Sequence, residues 1–400
     1  MNQAQAPQAR YEALADAIAG RPLPLAVADL DLIETNARTM LARAGMLPIR
    51  LGSKSIRCTE IMRLVQGLDQ RFRGLLCFSA REAAWLATQG FDDLLIAYPT
   101  VEPVDLAAVA ESPARIVLMI DEPAHIDALV AAARRFSVSF DVAIDVDMSS
   151  RFPAVHFGVR RSPVDTPQQA LELARHIENS EGKVRLVGVM GYEAQIAGLQ
   201  DDLPGKRIKN AMIRRMKRRS IAEIHKRRQS VITALRAAGH DLEFVNGGGT
   251  GSLESTAADP CVTEAAAGSG LYSPALFDHF RQFRHEPALY FALSAARIPC
   301  EGVLTCAGGG YVASGPSGAD RLPRPFLPTG GKLIELEGAG EVQTPVQFPP
   351  DLKLPLGAPV FFRHAKAGEL AERFKYLLLM RDGRIVDEVP TYRGAGRCFF

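Results

Sequence analysis

The segment "FVNGGGTGS" (244–252) joins an apolar run to three consecutive glycines, a threonine, a fourth glycine and a serine. Glycines allow neighbouring backbone N–H groups to converge on one point, and the Thr250 and Ser252 hydroxyls add further donors. This set of donors suits a phosphate. We therefore predict a phosphate site here, and the phosphate could belong to a nucleotide, a phosphorylated substrate or a cofactor.

Lys54 is a second residue that could carry chemistry, because it ends another apolar run, "PIRLGSK" (48–54). A lysine amine can form a Schiff base with an aldehyde. A lone lysine is more often a solvated surface residue, so its interpretation depends on the elements that position it relative to the glycine segment.

Apolar runs alternate with helix-like segments from about residue 24 to residue 272, which predicts parallel strands built from βαβ units. The segment "SAREAAWLATQGF" is typical of the helices, with Ser79 as N-cap and Glu82 three residues later. Leaving out the first run, 24–30, eight strands remain. Eight strands predict an α/β fold of the (β/α)8 TIM-barrel type. The eight runs are 48–54, 74–79, 94–99, 115–120, 140–147, 184–192, 242–247 and 262–270.

In this barrel the glycine segment follows strand seven, and "GSGLY" (268–272) follows strand eight. Barrels of this type commonly bind phosphate with these two loops, and Lys54 lies on the same rim. A dinucleotide fold would place its glycines after an early strand, which argues against a nucleotide. A lysine that faces a bound phosphate ester predicts pyridoxal phosphate (PLP).

After about residue 285 the sequence changes to short β-prone runs broken by Gly, Pro and Asp-Gly turns, which predicts an all-β domain. The net charge of +2 gives no overall electrostatic reason to expect nucleic acid or membrane as a partner. The six cysteines are scattered without CxxC spacing, and no apolar run approaches membrane-spanning length. We expect a soluble, cytoplasmic protein with reduced thiols.

The segment 205–229 differs from this neutral background, with eleven Lys and Arg residues and one Glu. A basic helical run could bind nucleic acid or a membrane surface. It has no interleaved aromatic residues, and apolar residues fall at helical spacing, which favours a barrel helix with an apolar inner face. These apolar residues are Ile208, Met212, Met216 and Ile221.

The chain contains, in this order, "PLAVADLDLIETNARTM", a lysine that ends the next strand, "GGGTGS", "GSGLY" and a following β domain. In these features it resembles the fold-type III PLP enzymes of the alanine racemase N-terminal-domain superfamily. Within that group it resembles the D-threonine aldolase and D-serine dehydratase branch, of the amino acid deaminase/aldolase type, through "REAAWLATQGFDDLLIAYP", "FRHAKAGELAERF" and "VPTYRGAGRCF". The resemblance spans nearly the whole chain. We assign 24–284 to the barrel, and 1–23 with 285–400 to the β domain.

The resemblance implies that Lys54 forms a Schiff base with PLP and that the two loops hold its phosphate. The implied phosphate residues are Gly247, Gly248, Gly249, Thr250, Gly251, Ser269, Gly270 and Tyr272. For each of them alone, a tight turn or a packed aromatic is an alternative interpretation. The resemblance also implies a homodimer, in which the β domain walls the active site.

Other site residues lie in the central barrel loops. Tyr192, as a catalytic or cofactor-binding residue, and Gln195, as a substrate-binding residue, could face the cofactor ring or the substrate. Tyr192 could equally pack against the barrel rim. Arg151 resembles the arginine that approaches the cofactor in this fold, although Arg160 or Arg161 could take that role.

The segment "RHAKAGE" departs from the branch, whose members bind a divalent metal through a His-x-Cys or His-x-Asp pair. His364 is present, but Lys366 occupies the second position, and an ammonium repels a cation. Either the amine is deprotonated or no metal of the family type binds. Our hypothesis is that the Lys366 ammonium replaces the metal and orients a substrate hydroxyl or carboxylate, while His364 moves its proton. The alternative is a charged segment without a chemical role.

The resemblance favours a PLP-dependent lyase that cleaves a β-hydroxy-D-amino acid, in a retro-aldol reaction, to a smaller amino acid and an aldehyde. The bond held perpendicular to the cofactor ring breaks, so pocket geometry selects the reaction. The alternatives are a dehydratase or deaminase that releases a 2-oxo acid, a racemase, a non-enzymatic PLP-binding protein and, least favoured, a nucleic-acid-binding protein.

Overall fold

The computed structural model describes residues 5–153 and 155–399. Residues 1–4 and 400 of the predicted β domain, and residue 154 of the predicted barrel, lie outside the described residues. The helices are α1 (Gln5–Ala17), α2 (Leu30–Ala44), α3 (Thr59–Leu68), α4 (Ala80–Thr88), α5 (Pro103–Ala110), α6 (Pro123–Phe136), α7 (Pro167–Glu178), α8 (Ala194–Ala197), α9 (Arg207–Ala237), α10 (Leu253–Ala257) and α11 (Ser269–Tyr272). Short 3-10 helices cover Ser53–Ser55, Ala275–Phe277, Ala319–Arg321 and Leu370–Glu372.

The strands fall into a barrel, a second sheet and a small hairpin. They are β1 (Leu25–Asp29), β2 (Ile49–Gly52), β3 (Phe72–Cys77), β4 (Leu94–Ile96), β5 (Ile116–Ile120), β6 (Phe140–Asp145), β7 (Ser150–Phe152), β8 (Val155–Phe157), β9 (Val184–Gly191), β10 (Phe244–Gly247), β11 (Glu264–Ala267), β12 (Leu289–Cys300), β13 (Val303–Ala307), β14 (Arg324–Leu327), β15 (Lys332–Leu333), β16 (Gln343–Gln347), β17 (Pro359–Arg363), β18 (Tyr376–Arg381) and β19 (Arg384–Pro390).

Within the described residues, eight parallel strands close into a barrel in the order β10-β11-β2-β3-β4-β5-β6-β9. All eight strands predicted from the sequence are present, which confirms the TIM-type barrel. Strands such as β4 and β5 are buried along their whole length, as expected for parallel strands covered on both faces. Apolar side chains including Leu95, Met119 and Phe244 fill the interior, so the barrel has a packed core.

A buried polar cluster closes the end of the barrel where the strands begin. The Arg50 guanidinium in β2 donates to Glu264 in β11 at 2.7 Å and to Asp93, immediately before β4, at 3.0 Å. A buried charge costs free energy unless it is paired and hydrogen-bonded, and here the guanidinium is held by two carboxylates. The opposite end, where the strands finish, is therefore the open mouth.

The second sheet contains nine of the described strands and confirms the predicted β domain. Its main path runs β15-β16-β13-β12-β1-β18-β19, with β17 and β14 joined to the side of β12. Helix α1 packs against it through Tyr11 and Leu14. None of the helices in 5–153 and 155–399 is long and apolar enough to cross a membrane.

Strand β1 corrects the boundary drawn at residue 24. It pairs antiparallel with β12 and parallel with β18, so residues 25–29 extend the second sheet although they precede the barrel. A five-residue apolar strand carries no signal of which sheet it joins, because its pattern suits either one. Helix α2, capped by the Asp29 carboxylate at the Leu32 N–H, then leads directly into the barrel.

The end of the chain returns to the barrel at a buried carboxyl group, Glu82. Its oxygens accept hydrogen bonds from the Phe78 N–H at 2.7 Å and the Tyr392 hydroxyl at 2.8 Å. The Ser79 side chain caps the same helix by accepting from the Glu82 N–H, which confirms the cap predicted from the sequence. Burial raises the pKa of Glu82 to about 7, although these hydrogen bonds favour the ionised form.

Glu82 makes the stability of the fold depend on pH. Because its pKa is raised from 4.5 to about 7, the folded protein binds the extra proton between these values and loses stability as the pH rises through them. We expect the unfolding free energy of the wild type, relative to Glu82→Gln, to fall by about 3 kcal/mol between pH 4.5 and pH 8. Chemical denaturation at several pH values measures this difference.

Glu60→Gln, in which a half-exposed carboxylate is removed from α3, is the control for the loss of one negative charge. A difference between wild type and Glu82→Gln that stays constant, or grows with pH, would contradict the buried, protonated carboxyl group.

Candidate active site

Lys54 lies on the open rim, in the short 3-10 turn directly after β2. Its amine donates to the Tyr98 hydroxyl at 3.3 Å, and Tyr98 follows the end of β4. The Arg161 guanidinium lies 5.3 Å from the centre of the Tyr98 ring and 5.4 Å from that of Tyr192, which follows β9. The segments that follow β2, β4, β6 and β9 thus bring a lysine, an arginine and two phenols together, in the position where barrels of this type carry their catalytic groups.

The charges at the rim alter the acidity of these groups. Burial alone would raise the pKa of Tyr98, but the charges of Lys54 and Arg161 and the hydrogen bond from Lys54 lower it overall. Asp145 ends β6 nearby, and burial together with the negative charge of Asp121 raises its pKa to about 7, although Arg161 opposes the shift. Perturbed acidities in one cleft are typical of functional sites.

Arg151 does not take part in this arrangement. Its side chain is 77% exposed on the β7–β8 hairpin and pairs with Asp165 at 3.0 Å. Neighbouring residues of a strand point to opposite faces, and Ser150 takes the inner face through its contact with Ser220. Arg161, the alternative left open by the sequence, is the arginine that reaches the Lys54 region.

The glycine segment forms a cradle on the same rim. No protein acceptor is found, among the described residues, for the backbone N–H groups of Gly249, Thr250 and Gly251. A Cβ on Gly249 would lie 2.6 Å from the Ala197 Cβ, and one on Gly251 would lie 2.2 Å from the Ala197 carbonyl oxygen. Side chains at these positions would therefore displace the backbone that presents the three N–H groups.

The loop after β11 completes the cradle. The Gly270 N–H donates to the Thr250 hydroxyl at 3.0 Å, which joins the two predicted phosphate loops. The hydroxyls of Ser269 and Ser55 lie 2.9 Å apart, which places Ser269 beside the Lys54 turn. Tyr272 has a different place from the predicted one, because it is fully buried and its hydroxyl donates to the Ile56 carbonyl at 3.0 Å. Its hydrogen bond holds the end of the Lys54 turn.

A buried carboxylate holds the start of the glycine segment. Glu193 accepts from the Gly248 N–H at 2.5 Å and from the Arg228 guanidinium at 2.5 Å. Arg228 also pairs with Asp259, and all three side chains are at most 3% exposed. Gly247 and Gly248 thus face this ion-pair cluster, whereas the next three residues face the cradle. The sequence reasoning missed Glu193, although it follows Tyr192 directly after a barrel strand.

Arg228 belongs to helix α9, and the buried face of this helix corrects the interpretation of the basic segment 205–229. Two residues of the predicted inner stripe are wrong, because Ile208 is 88% exposed and Met212 is 56% exposed, whereas Ile221 packs against the core. The buried face also includes Arg228 and Lys217, which pairs with buried Asp201 at 3.2 Å. Helical spacing alone could not show that cations of this run have buried acidic partners.

Tyr192 and Gln195 have different environments. The Tyr192 ring borders both the cradle and the rim, since a Cβ on Gly249 would lie 3.3 Å from it. Burial raises the pKa of Tyr192, with the Arg161 charge opposing the shift. The Gln195 amide is already used, because it donates to the Met148 carbonyl at 2.6 Å and to the Ser220 hydroxyl at 2.9 Å. Gln195 therefore holds the loop, and its amide NH2 is not directed at a substrate.

The segment after β17 brings His364 and Lys366 to the Lys54 turn. A Cβ on Gly368 would lie only 1.8 Å from the Lys54 carbonyl oxygen, so the two backbones are in direct contact. His364 is 2% exposed, with Nδ1 3.2 Å from the Leu289 carbonyl and Nε2 without a partner among the described residues. Burial lowers the pKa of His364 to about 3, and Arg363 adds to this, so the imidazole is neutral.

The residues present suit PLP but not the divalent metal implied by the resemblance. A lysine amine, three N–H groups without acceptors and glycines that admit no side chain match the two ends of PLP. Lys366, two residues after His364, donates to the Ser314 hydroxyl at 2.9 Å, and an ammonium cannot bind a cation. Across the part of the chain that the structure describes, no three His, Cys, Asp or Glu side chains cluster at metal-binding distances.

Comparison with known proteins agrees with this geometry. The model of the alanine racemase N-terminal domain matches residues 28–275, more than half of the chain. A 3-hydroxy-D-aspartate aldolase from Paracoccus denitrificans is 25% identical over 234 residues, covering 57% of this chain and 54% of that protein. A D-threonine aldolase from an Arthrobacter species is 28% identical over 258 residues, covering 64% of this chain and 62% of that protein. The chain thus spans between half and two thirds of the length of these relatives.

A solved structure shows the same fold. The D-threonine aldolase from Filomicrobium marinum superposes with a TM-score of 0.78 at 22% identity, covering 94% of this chain and 96% of that one. At this identity the likeness concerns the fold, so the arrangement of barrel and second sheet is common to both proteins.

The cradle gives a direct test at Gly251. We expect Gly251→Ala to lower the unfolding free energy by about 1–3 kcal/mol, because the added methyl group collides with the Ala197 carbonyl, and to weaken PLP binding at least tenfold. Thermal unfolding and fluorescence titration with PLP measure the two effects. Gly67→Ala in α3 is the matched control, since a Cβ there meets nothing within 4 Å. Equal PLP affinity in the two variants would contradict the cradle.

Proposed function

Because the chain belongs to the alanine racemase N-terminal domain family, we propose that it is a PLP-dependent lyase. The proposed reaction cleaves a β-hydroxy-D-amino acid to a smaller amino acid and an aldehyde. The observation that carries the proposal is that the Lys54 turn and the cradle of Gly249, Thr250 and Gly251 are joined on one rim, through Ser55–Ser269 and Gly270–Thr250. The names of the relatives support the substrate class, since they are D-threonine aldolase and 3-hydroxy-D-aspartate aldolase.

In this proposal Lys54 binds the cofactor aldehyde, and the three N–H groups of the cradle bind its phosphate. PLP, when bound, supplies a ring that accepts the electrons of a breaking Cα bond. Tyr98 holds the Lys54 amine through the 3.3 Å hydrogen bond, and its lowered pKa makes it a proton carrier for that amine. Arg161 keeps both phenols of the rim in place and favours the ionised form of Tyr98.

His364 is proposed to orient the substrate hydroxyl. Nδ1 donates to the Leu289 carbonyl, which leaves Nε2 as an acceptor, and the low pKa keeps that nitrogen unprotonated at neutral pH. A substrate hydroxyl that donates to Nε2 has its proton directed at a nitrogen that can accept it when the hydroxyl becomes the carbonyl of the aldehyde. The segment from His364 to Gly368 also contacts the Lys54 turn, so the imidazole and the turn that carries the amine belong to one site.

Dehydration to a 2-oxo acid is the competing reaction, because the same residues could hold the Cα–H bond in the reactive position. Contact between the β domain and the Lys54 turn favours an enzyme over a PLP carrier. The homodimer and the cytoplasmic location inferred from the sequence stay predictions.

Product analysis tests the proposed reaction. We expect the PLP-loaded protein to convert D-threonine or 3-hydroxy-D-aspartate to an aldehyde and glycine, detected by derivatisation and chromatography. Lys54→Ala should lower the rate at least roughly 10³-fold, because the covalent step is lost. Lys353→Ala, at a lysine 75% exposed on the β domain, should leave the rate unchanged. Release of 2-oxo acid and ammonia would assign the competing dehydration, and no product from either substrate would reject the lyase.

A further inference from the structure

A cavity of about 280 Å³ lies beside the segment that covers the Lys54 turn. The turn at Tyr311 forms one wall, and His364 and Lys366 form another. Glu369 lies on the same wall as Lys366, and the exposed side chains of Arg373 and Arg393 border the opening. The cavity is thus continuous with the segment that carries the proposed hydroxyl acceptor, and its wall is rich in charged groups.

The carboxylates of this cavity are already engaged. Glu369 accepts from the Ser314 N–H at 2.7 Å and its hydroxyl at 2.5 Å, and it lies 3.4 Å from the Lys366 amine. Glu372 is held by Arg57 at 2.6 Å. The negative charges of both side chains are therefore compensated within the protein.

The two arginines at the opening have no such compensation. Within the residues that the structure describes, neither Arg373 nor Arg393 lies within ion-pair distance of a carboxylate, whereas Lys366 has Glu369. The cavity therefore presents an excess of positive charge to whatever enters it. Guanidinium groups bind carboxylates through paired hydrogen bonds, which suits an anionic ligand.

We propose that this cavity is a metal-independent anion site, in which Arg373 and Arg393 bind the side-chain carboxylate of an acidic β-hydroxy-D-amino acid. The proposal rests on the proposed lyase function and narrows its substrate to a dicarboxylic one. Lys366 lines the same cavity as His364 and occupies the position where the resemblance implies the second ligand of a divalent cation. The ammonium excludes such a cation by charge repulsion and by offering no lone pair.

Binding of simple acids tests the anion site without turnover. Succinate carries two carboxylates and butyrate carries one, and neither has an amine that could react with PLP. Calorimetry on the PLP-loaded protein should show succinate binding at least tenfold more tightly than butyrate. The double variant Arg373→Met/Arg393→Met should lose this preference, whereas Arg384→Met, on the exposed strand β19, should keep it. Equal affinities in the wild type, or a preference that survives the double variant, would overturn the proposal.

Metal binding tests the role of Lys366 separately. We expect the wild type, after exposure to Zn²⁺ and gel filtration, to retain no stoichiometric Zn²⁺ by elemental analysis. Lys366→Cys should raise the Zn²⁺ affinity at least tenfold in competition with a chromophoric chelator, because it pairs a thiolate with His364. Lys366→Met, which removes the charge without adding a donor, is the control. Stoichiometric Zn²⁺ in the wild type that His364→Ala abolishes would overturn the proposal that Lys366 replaces the metal. The same proposal would be overturned if Lys366→Cys did not raise the Zn²⁺ affinity.

These readouts separate the two proposals. Neither the succinate preference nor the Zn²⁺ affinity requires catalysis, so both can be as expected in a protein that releases no aldehyde. If the protein cleaves D-threonine but does not prefer succinate, the proposed lyase function stands and the proposed acidic substrate is rejected.

Discussion

The candidate site depends on one buried carboxylate, Glu193, which lies between a backbone N–H and a guanidinium. One side of it accepts from Gly248, at the start of the glycine segment, and the other from Arg228 of helix α9. Removing one partner of such a buried pair typically costs about 3–5 kcal/mol, because the remaining charge is left without compensation. The cradle therefore keeps its shape only while the Arg228 guanidinium is in place. Part of the basic helix α9 thus has a structural role.

The parallel barrel explains why the functional groups meet although they are far apart in sequence. Every strand of a closed parallel barrel ends at the same rim, so Lys54, Tyr98 and Gly249 become neighbours. The second sheet adds the remaining groups, because the segment at Gly368 contacts the Lys54 turn. The site is thus divided: the barrel holds the Lys54 amine and the cradle, and the β domain holds the His364 imidazole and the charged side chain of Lys366.

Sequence patterns predicted those parts of this arrangement that depend on local chemistry. The eight barrel strands followed from their apolar runs, and Lys54 and the glycine segment followed from their places at strand ends. Arg151 and Gln195 could not be judged in this way. Arg151 turns outward because its neighbour Ser150 takes the inner face, and the Gln195 amide is used by the Met148 carbonyl. Both outcomes depend on contacts between distant segments, which a single sequence does not show.

The same limit applies to the charged residues of α9 and to strand β1. A buried Arg228 has the same sequence appearance as its solvated neighbours, since only its partners Glu193 and Asp259 make burial favourable. Strand β1 has an ordinary apolar pattern, and its place in the second sheet is set by β12 and β18. In each case a contact with a distant part of the chain decides where the residue or strand lies.

The central claim, that Lys54 is the covalent attachment point of PLP, is tested most directly by locating the modified residue. The protein is loaded with PLP, reduced with borohydride, digested and analysed by peptide mass spectrometry. The account predicts a pyridoxyl group on Lys54. Lys366 lies in the segment that packs on the Lys54 turn, which makes it the most informative alternative. A pyridoxyl group on Lys366 or another lysine in place of Lys54, or no modification at all, would contradict the account.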